Sequence, residues 1–179
     1  MCALILPYSI GPTQDELTNC PSCGGKIHGH GTRQRHAIID TVKKWFKVDR
    51  FLCTECGKTF TLLPDFLLPF KHYTAPEIEG ELHHLAGGNS LAESHSNADE
   101  STLRRWWNEF SYQMPQWAGS LESKALQLYH RIPDCVSLLT NPLKRLENVL
   151  LQLPPLPVRW TVLVKALWWL NPTHPLCLP

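Results

Sequence analysis

Cys20-Pro-Ser-Cys23-Gly24 and Cys53-Thr-Glu-Cys56-Gly57 stand twenty-nine residues apart, and how they are read decides the fold of the N-terminal half. Two residues between cysteines let one tight turn aim both sulfurs at a single ion, and two such turns complete the tetrahedron preferred by closed structural zinc. Each pair is followed by a glycine, the residue that takes left-handed backbone angles without a Cβ penalty. The spacing predicts one structural Zn²⁺ on Cys20, Cys23, Cys53 and Cys56. Four thiolates around it carry an excess of about two negative charges, and Lys26, Arg50 and Lys58 lie close in sequence to offset them. A redox Cys-x-x-Cys would need only one pair beside a βαβ pattern. Disulfides fit poorly with seven cysteines and an N-terminus without a basic flank. Cys2, Cys135 and Cys177 have no partner spacing and are expected to be reduced and unliganded.

Working outward, Lys26 to Asp40 and Val42 to Cys53 are rich in β-branched and aromatic residues, among them Ile38, Ile39, Val42, Trp45, Phe46, Val48 and Phe51, and are expected to form a hairpin. Arg33 and Arg35 share one face of the first strand by the two-residue period, and the second strand adds Lys43, Lys44, Lys47 and Arg50. From Cys20 to Phe60 there are eight Lys/Arg against three Asp/Glu, whereas Glu77 to Glu100 holds six acids and no Lys/Arg. The overall charge of +1 hides this gradient. Basic groups interleaved with Trp45, Phe46 and His36 suit a phosphate backbone and a base or sugar face; a solvated face balancing an anionic metal site is the plainer alternative.

Residues 61–73 form an apolar stretch broken by Pro64 and Pro69, expected to be a packed connector rather than a helix. Helices follow. Thr74-Ala-Pro-Glu77 and Ser90-Leu-Ala-Glu93 are capping boxes, and Gly87-Gly88 ends the first run. Asn97 sits where left-handed angles would be tolerated, and Asp99 can cap a third helix reaching to about Met114, before Pro115. The order of helix, short helix, turn and long helix suggests a helix-turn-helix over 74–114. At about 100° per residue, Leu103, Trp106, Trp107 and Phe110 fall on one side of the third helix, and Ser101, Arg104, Arg105, Asn108 and Tyr112 on the other. Arginine and asparagine are the side chains best suited to paired hydrogen bonds with base edges in a major groove. Glu100 counts against that reading, because it would approach phosphates with the wrong sign.

Cys20-Pro-Ser-Cys23, His28-Gly-His-Gly, Arg50-Phe-Leu-Cys53-Thr-Glu-Cys56-Gly-Lys-Thr-Phe60 and Asn97-Ala-Asp-Glu-Ser-Thr-Leu-Arg-Arg-Trp106 together resemble the zinc-ribbon and helix-turn-helix region of bacterial insertion-sequence transposases. The connector is similar to that of a group of uncharacterised bacterial proteins of the same kind. The resemblance covers residues 20–112 and implies DNA binding. Asp99-Glu100 departs from the more usual serine followed by a polar or basic residue, and Asn97-Ala98 from glycine and valine.

After Pro115, Ser120 can cap a helix bearing Leu121, Ala125, Leu128 and Ile132; Asn141-Pro142 opens another with Leu143, Leu146 and Leu150. Arg159 to Leu170 is apolar nearly all round, which suits a core helix or a surface for self-association or a protein partner. No apolar run is long enough to span a bilayer, and a reducing cytoplasm is the expected compartment.

The expected fold class is α+β: an irregular lead-in over 1–19, a zinc ribbon over 20–60, the connector over 61–73, a helix-turn-helix over 74–114 and proline-interrupted helices over 115–179. The expected protein is not an enzyme, since a four-thiolate zinc has no open coordination position. Beyond Pro115 the acids are Glu122, Asp134 and Glu147, scattered on leucine-rich helices. Adjacent His83 and His84 project about 100° apart. The functional expectation is a zinc-dependent DNA-binding accessory or regulatory factor related to transposases, with no small-molecule substrate. The alternatives are a protein-interaction adaptor and a transposase fragment lacking its nuclease.

Overall fold

The computed structural model describes residues 2–5, by backbone alone, and residues 19–20, 22–130 and 141–170. It divides at Thr74 into a sheet unit and a helical unit, Ala75–Leu170.

The sheet unit has four strands: β1 (Cys2–Ile5), β2 (Ile27–Ile39), β3 (Val42–Cys53) and β4 (Thr59–Leu63), ordered β1-β4-β3-β2. β2 and β3 form the expected hairpin, with Ile39 opposite Val42 across a two-residue turn. Asp40 and Thr41 both take positive φ, 50° and 68°, as the turn type whose twist matches the flanking strands requires. Two strands were not expected. The supposed connector begins as β4, antiparallel to β3 with Phe51 opposite Phe60, and the supposed irregular lead-in contributes β1, parallel to β4. Thr-Phe-Thr-Leu-Leu is strand-prone, and Phe60 and Leu63 gain burial by pairing.

A bulge decides which side chains of β2 are covered. Three steps from Gly29 to Thr32 face two steps from Phe51 to Asp49, and Gly31 at φ 74° accommodates the extra residue. Side-chain alternation therefore switches along β2. Ile27 pairs with Cys53 at the metal end, but beyond the bulge His36, an even-numbered residue, pairs with Trp45. On the opposite face Arg35 pairs with Phe46 and Arg33 with Val48. Residues 64–73 fold back over that face. Phe66 meets Phe46 edge-on at 5.1 Å, Leu67 and Leu68 are buried, and Ile38 N–H donates to the His72 carbonyl at 2.7 Å.

The helical unit contains α1 (Ala75–Ala86), one 3-10 turn (Leu91–Glu93), α2 (Glu100–Tyr129), α3 (Pro142–Leu151) and α4 (Val162–Leu170). The second helix expected after Ser90 is only that turn, although Glu93 does accept from Ser90 N–H and Oγ, both at 2.9 Å. Asn97 does not take left-handed angles; in this stretch Gly88 does. Asp99 caps α2 as expected, accepting from Thr102 N–H at 2.8 Å.

The third helix does not stop at Met114. α2 runs through Pro115 and absorbs the helix expected from Ser120. Leu103, Trp106, Phe110, Met114, Ala118, Leu121 and Ala125 make one unbroken buried stripe. Its five larger side chains contribute about 1.5–3 kcal/mol each on burial, which outweighs the about 3 kcal/mol that an interior proline costs. Trp107, expected among the core residues, is only half-buried, and Leu128 is exposed. Ile132 lies outside the described residues.

Side chains from other helices finish the helix ends. Asn141 caps α3 by accepting from Leu143 and Lys144 N–H, and its amide donates to Ala86 O at the end of α1. Glu79 of α1 accepts from Leu163 N–H at the start of α4, 2.9 Å, and Lys124 donates to Trp169 O near its end, 2.8 Å. Burial raises the Glu79 carboxyl above its ordinary value despite those amide bonds. Arg145 and Glu122 form a two-bond fork at 3.1 and 2.8 Å. On α4, Leu163, Val164, Ala166 and Trp169 are buried, so most of its apolar circumference is core. Among the described residues no helix is long and apolar enough to cross a membrane.

Candidate metal centre and nucleic-acid surfaces

The two cysteine turns repeat one backbone design. Gly24 N–H donates to Cys20 O at 2.9 Å and Gly57 N–H to Cys53 O at 3.0 Å; Cys20 N–H donates to Gly25 O and Cys53 N–H to Lys58 O. Each closing glycine has positive φ, 74° at Gly24 and 68° at Gly57, the angle glycine adopts without strain. The turns direct amides at sulfur: Ser22 N–H reaches Cys20 Sγ at 3.3 Å and Cys56 N–H reaches Cys53 Sγ at 3.5 Å.

All four sulfurs lie within 4.8 Å of one another, with Cys20 to Cys56 at 3.6 Å and Cys23 to Cys53 at 3.5 Å. These separations are far beyond the roughly 2.05 Å of a disulfide. They are close to the roughly 3.8 Å edge of a tetrahedron whose metal–sulfur bonds are about 2.3 Å. Cys20 and Cys53 are buried and Cys23 and Cys56 exposed, with Cys20 and Cys53 joining Ile27, Phe51, Phe60 and Leu62 in a small apolar core. The donor set fits a closed metal site.

Crowded sulfurs also divide in acidity. The Cys56 N–H leads in holding the Cys53 thiol down to about 7. At Cys23 the lowering bond from Gly25 N–H is outweighed by the neighbouring thiols and by burial, and the group is pushed up to about 12. Placing a cation among the sulfurs removes this conflict, because it favours every thiolate at once. Cys2, Cys135 and Cys177 lie outside the described side chains.

The basic residues of the hairpin separate into two faces. Arg35 is half-buried, and its guanidinium donates to Leu68 O and Lys71 O, both at 2.7 Å. It clasps the connector instead of standing on an open nucleic-acid surface. Burial, with Arg33 nearby, lowers its pKa from the ordinary value. Arg33 and Lys44 lie on that same side of the hairpin and are exposed. Lys43 and Lys47 lie on the other side, flanking Trp45, and all three are exposed.

On α2 the expected arrangement is present at the level of side chains. Ser101, Arg104, Arg105 and Asn108 are exposed and line a shallow depression with Glu109, while Leu103, Trp106 and Phe110 are buried on the opposite side. Tyr112 extends the exposed face. Glu100 pairs with Arg104 at 2.6 Å, so its charge is directed along the helix. Ser101 Oγ donates to Asp99 at 2.5 Å. The short helix expected between α1 and α2 is only the 3-10 turn Leu91–Glu93, and six residues separate that turn from α2, more than the three- or four-residue turn of a helix-turn-helix.

The acidic run has structural uses, of which the sequence shows only the caps. Glu77 accepts from Ser96 Oγ at 3.0 Å and Glu81 from Ser94 Oγ at 2.7 Å, bracing the loop that leads into α2. Glu79, Glu93 and Asp99 finish helix or turn starts, and Glu100 pairs with Arg104. His72, which stacks on His36, is a second contact that the sequence did not indicate.

Residues 20–106 match a domain of unknown function (DUF6431). No curated protein and no solved structure matches the chain.

Proposed function

We propose that this protein binds DNA, with a zinc-stabilised sheet unit and α2 as its base-reading element, and that it is a binding protein rather than an enzyme. The observation that carries the reading is the split of α2: Ser101, Arg104, Arg105 and Asn108 exposed along one side, and Leu103, Trp106 and Phe110 buried on the other. A helix held by one side and free on the other can enter a major groove, and Arg105 and Asn108 are the types that pair with guanine and adenine edges. Zinc is preferred for the four sulfurs because it is redox-inert and tetrahedral with thiolates. The narrower role, an accessory or regulatory factor of the transposase-related kind, rests on the motif resemblance alone.

The test is selection of bound sequences from a randomised duplex pool, followed by affinity against salt. The reading expects an enriched motif and a steep loss of affinity as salt rises. No enrichment, with binding absent even at low salt, would overturn it.

A second reading has its own observation. Leu150, Leu151, Leu153, Leu156 and Trp169 help line a cavity of about 590 Å³ in the helical unit, and Leu151 is 79% exposed. This apolar surface favours a protein-docking role, for which salt dependence would be weak.

A further inference from the structure

The uncovered face of the hairpin carries an aromatic residue that neither the metal site nor the sheet's core requires. Trp45 is 59% exposed. The Lys43 ammonium stands 4.9 Å from its ring centroid, within the range of a cation–π contact. Its cross-strand partner His36 lies 5.0 Å away, tilted by 58°. His36 in turn stacks on His72 at 4.3 Å with the planes only 5° apart. His72 is anchored by its own carbonyl, which accepts from Ile38 N–H at 2.7 Å. Trp45 therefore stands beside an aromatic neighbour held from behind by the fold.

The charge around it has one prevailing sign. Lys43 and Lys47 flank Trp45 at two residues on either side of the same strand face, roughly 7 Å away along the backbone. On that face of β3 the charged residues are Lys43 and Lys47 against Asp49, opposite the uncharged Ile38, Gln34 and Thr32 of β2, while Arg33, Arg35, Lys44 and Arg50 lie on the other face.

We infer that Trp45, with Lys43 and Lys47 beside it, is a stacking site for an unpaired base of a DNA strand. The inference rests on the nucleic-acid reading and specifies which form of the nucleic acid this face takes. In an intact duplex both faces of an internal base are covered by its neighbours, so a ring presented on a sheet can stack only where the base is unpaired, terminal or flipped. Sheet aromatics with flanking cations meet that requirement, one supplying the face and the other the phosphate contact. The bulge is what places His36 beside Trp45, because it puts the even-numbered residues of β2 on that side.

The experiment is fluorescence anisotropy of the full-length, metal-loaded protein with a short labelled strand, with the same strand annealed as a blunt duplex, and with a strand of abasic sugars. Trp45→Ala is expected to weaken single-strand binding about 5- to 150-fold, with duplex affinity little changed. Trp45→Phe is expected to retain most of the affinity. Lys44→Ala, on the opposite face, is expected to weaken both forms alike. For wild type, removing the bases is expected to lower affinity to the level of Trp45→Ala, and Trp45→Ala is expected not to distinguish the two strands. Metal content and far-ultraviolet circular dichroism establish that each variant is folded. If Trp45→Ala changes neither form, or both equally, the stacking site is overturned while duplex binding keeps the broader reading alive. Binding of neither strand nor duplex by wild type overturns both.

Discussion

Pro115→Ala should stabilise the helical unit, and the size of the effect tests whether α2 is one helix. Pro115 is the sixteenth of thirty residues. It is exposed, so truncation to alanine removes no packed atoms. Proline has no N–H to donate to the Ser111 carbonyl four residues earlier, and its ring crowds that turn, for a cost of about 3 kcal/mol relative to alanine. Against this, alanine returns freedom to the unfolded chain, worth about 0.4–1 kcal/mol in the other direction. The net gain is about 2 kcal/mol, or a rise of roughly 8–16 °C in Tm for a unit of this size. Thermal unfolding followed by far-ultraviolet circular dichroism reads it directly. If the helix instead ended at Met114, Pro115 would lie in a connector before a helix capped by Ser120, where proline costs no helical hydrogen bond and restricts the unfolded chain. Alanine would then leave Tm unchanged or lower it, and a continuous α2 would be refuted.

Three further outcomes follow from named contacts. Chelation of the metal, or Cys23→Ser, should unfold the sheet unit, because such sites hold much of the folding free energy in the metal; retained sheet structure in metal-free protein would contradict this. Arg35→Ala should cost about 1–3 kcal/mol by leaving the Leu68 and Lys71 carbonyls without their charged donor, whereas exposed Lys47→Ala should change stability by less than about 0.5 kcal/mol. Chemical denaturation of the two variants decides between them, and equal effects would place Arg35 on the surface. Asn141→Ala should lose about 1–2 kcal/mol through the α3 cap, and an unchanged denaturation midpoint would show that cap to be dispensable.

Much of the local design was legible because it is written in short-range chemistry. The Cys-x-x-Cys-Gly turns and the caps at Asp99 and Asn141 each depend on residues within a few positions of one another. The misreadings came from longer range. Pro115 signals a break locally, but the stripe from Leu103 to Ala125 outweighs it through packing that no short window contains. Arg35 looked like a phosphate contact because Leu68 and Lys71, its acceptors, are more than thirty residues away. Glu77 reads as a capping-box residue and Glu81 as one acid of a run, and neither reading contains the bonds from Ser96 and Ser94 across the loop. The strand at Thr59–Leu63 was hidden by the prolines that follow it.

The most direct measurement is the affinity of Arg105→Ala for the duplex selected by the wild-type protein. Arg105 is exposed, so the substitution should leave Tm within the range of ordinary surface changes. Affinity for the selected site should fall by about 1–3 kcal/mol, with preference relaxed at one base position. Unchanged affinity and unchanged preference in a folded Arg105→Ala variant would contradict base reading by α2 through this residue.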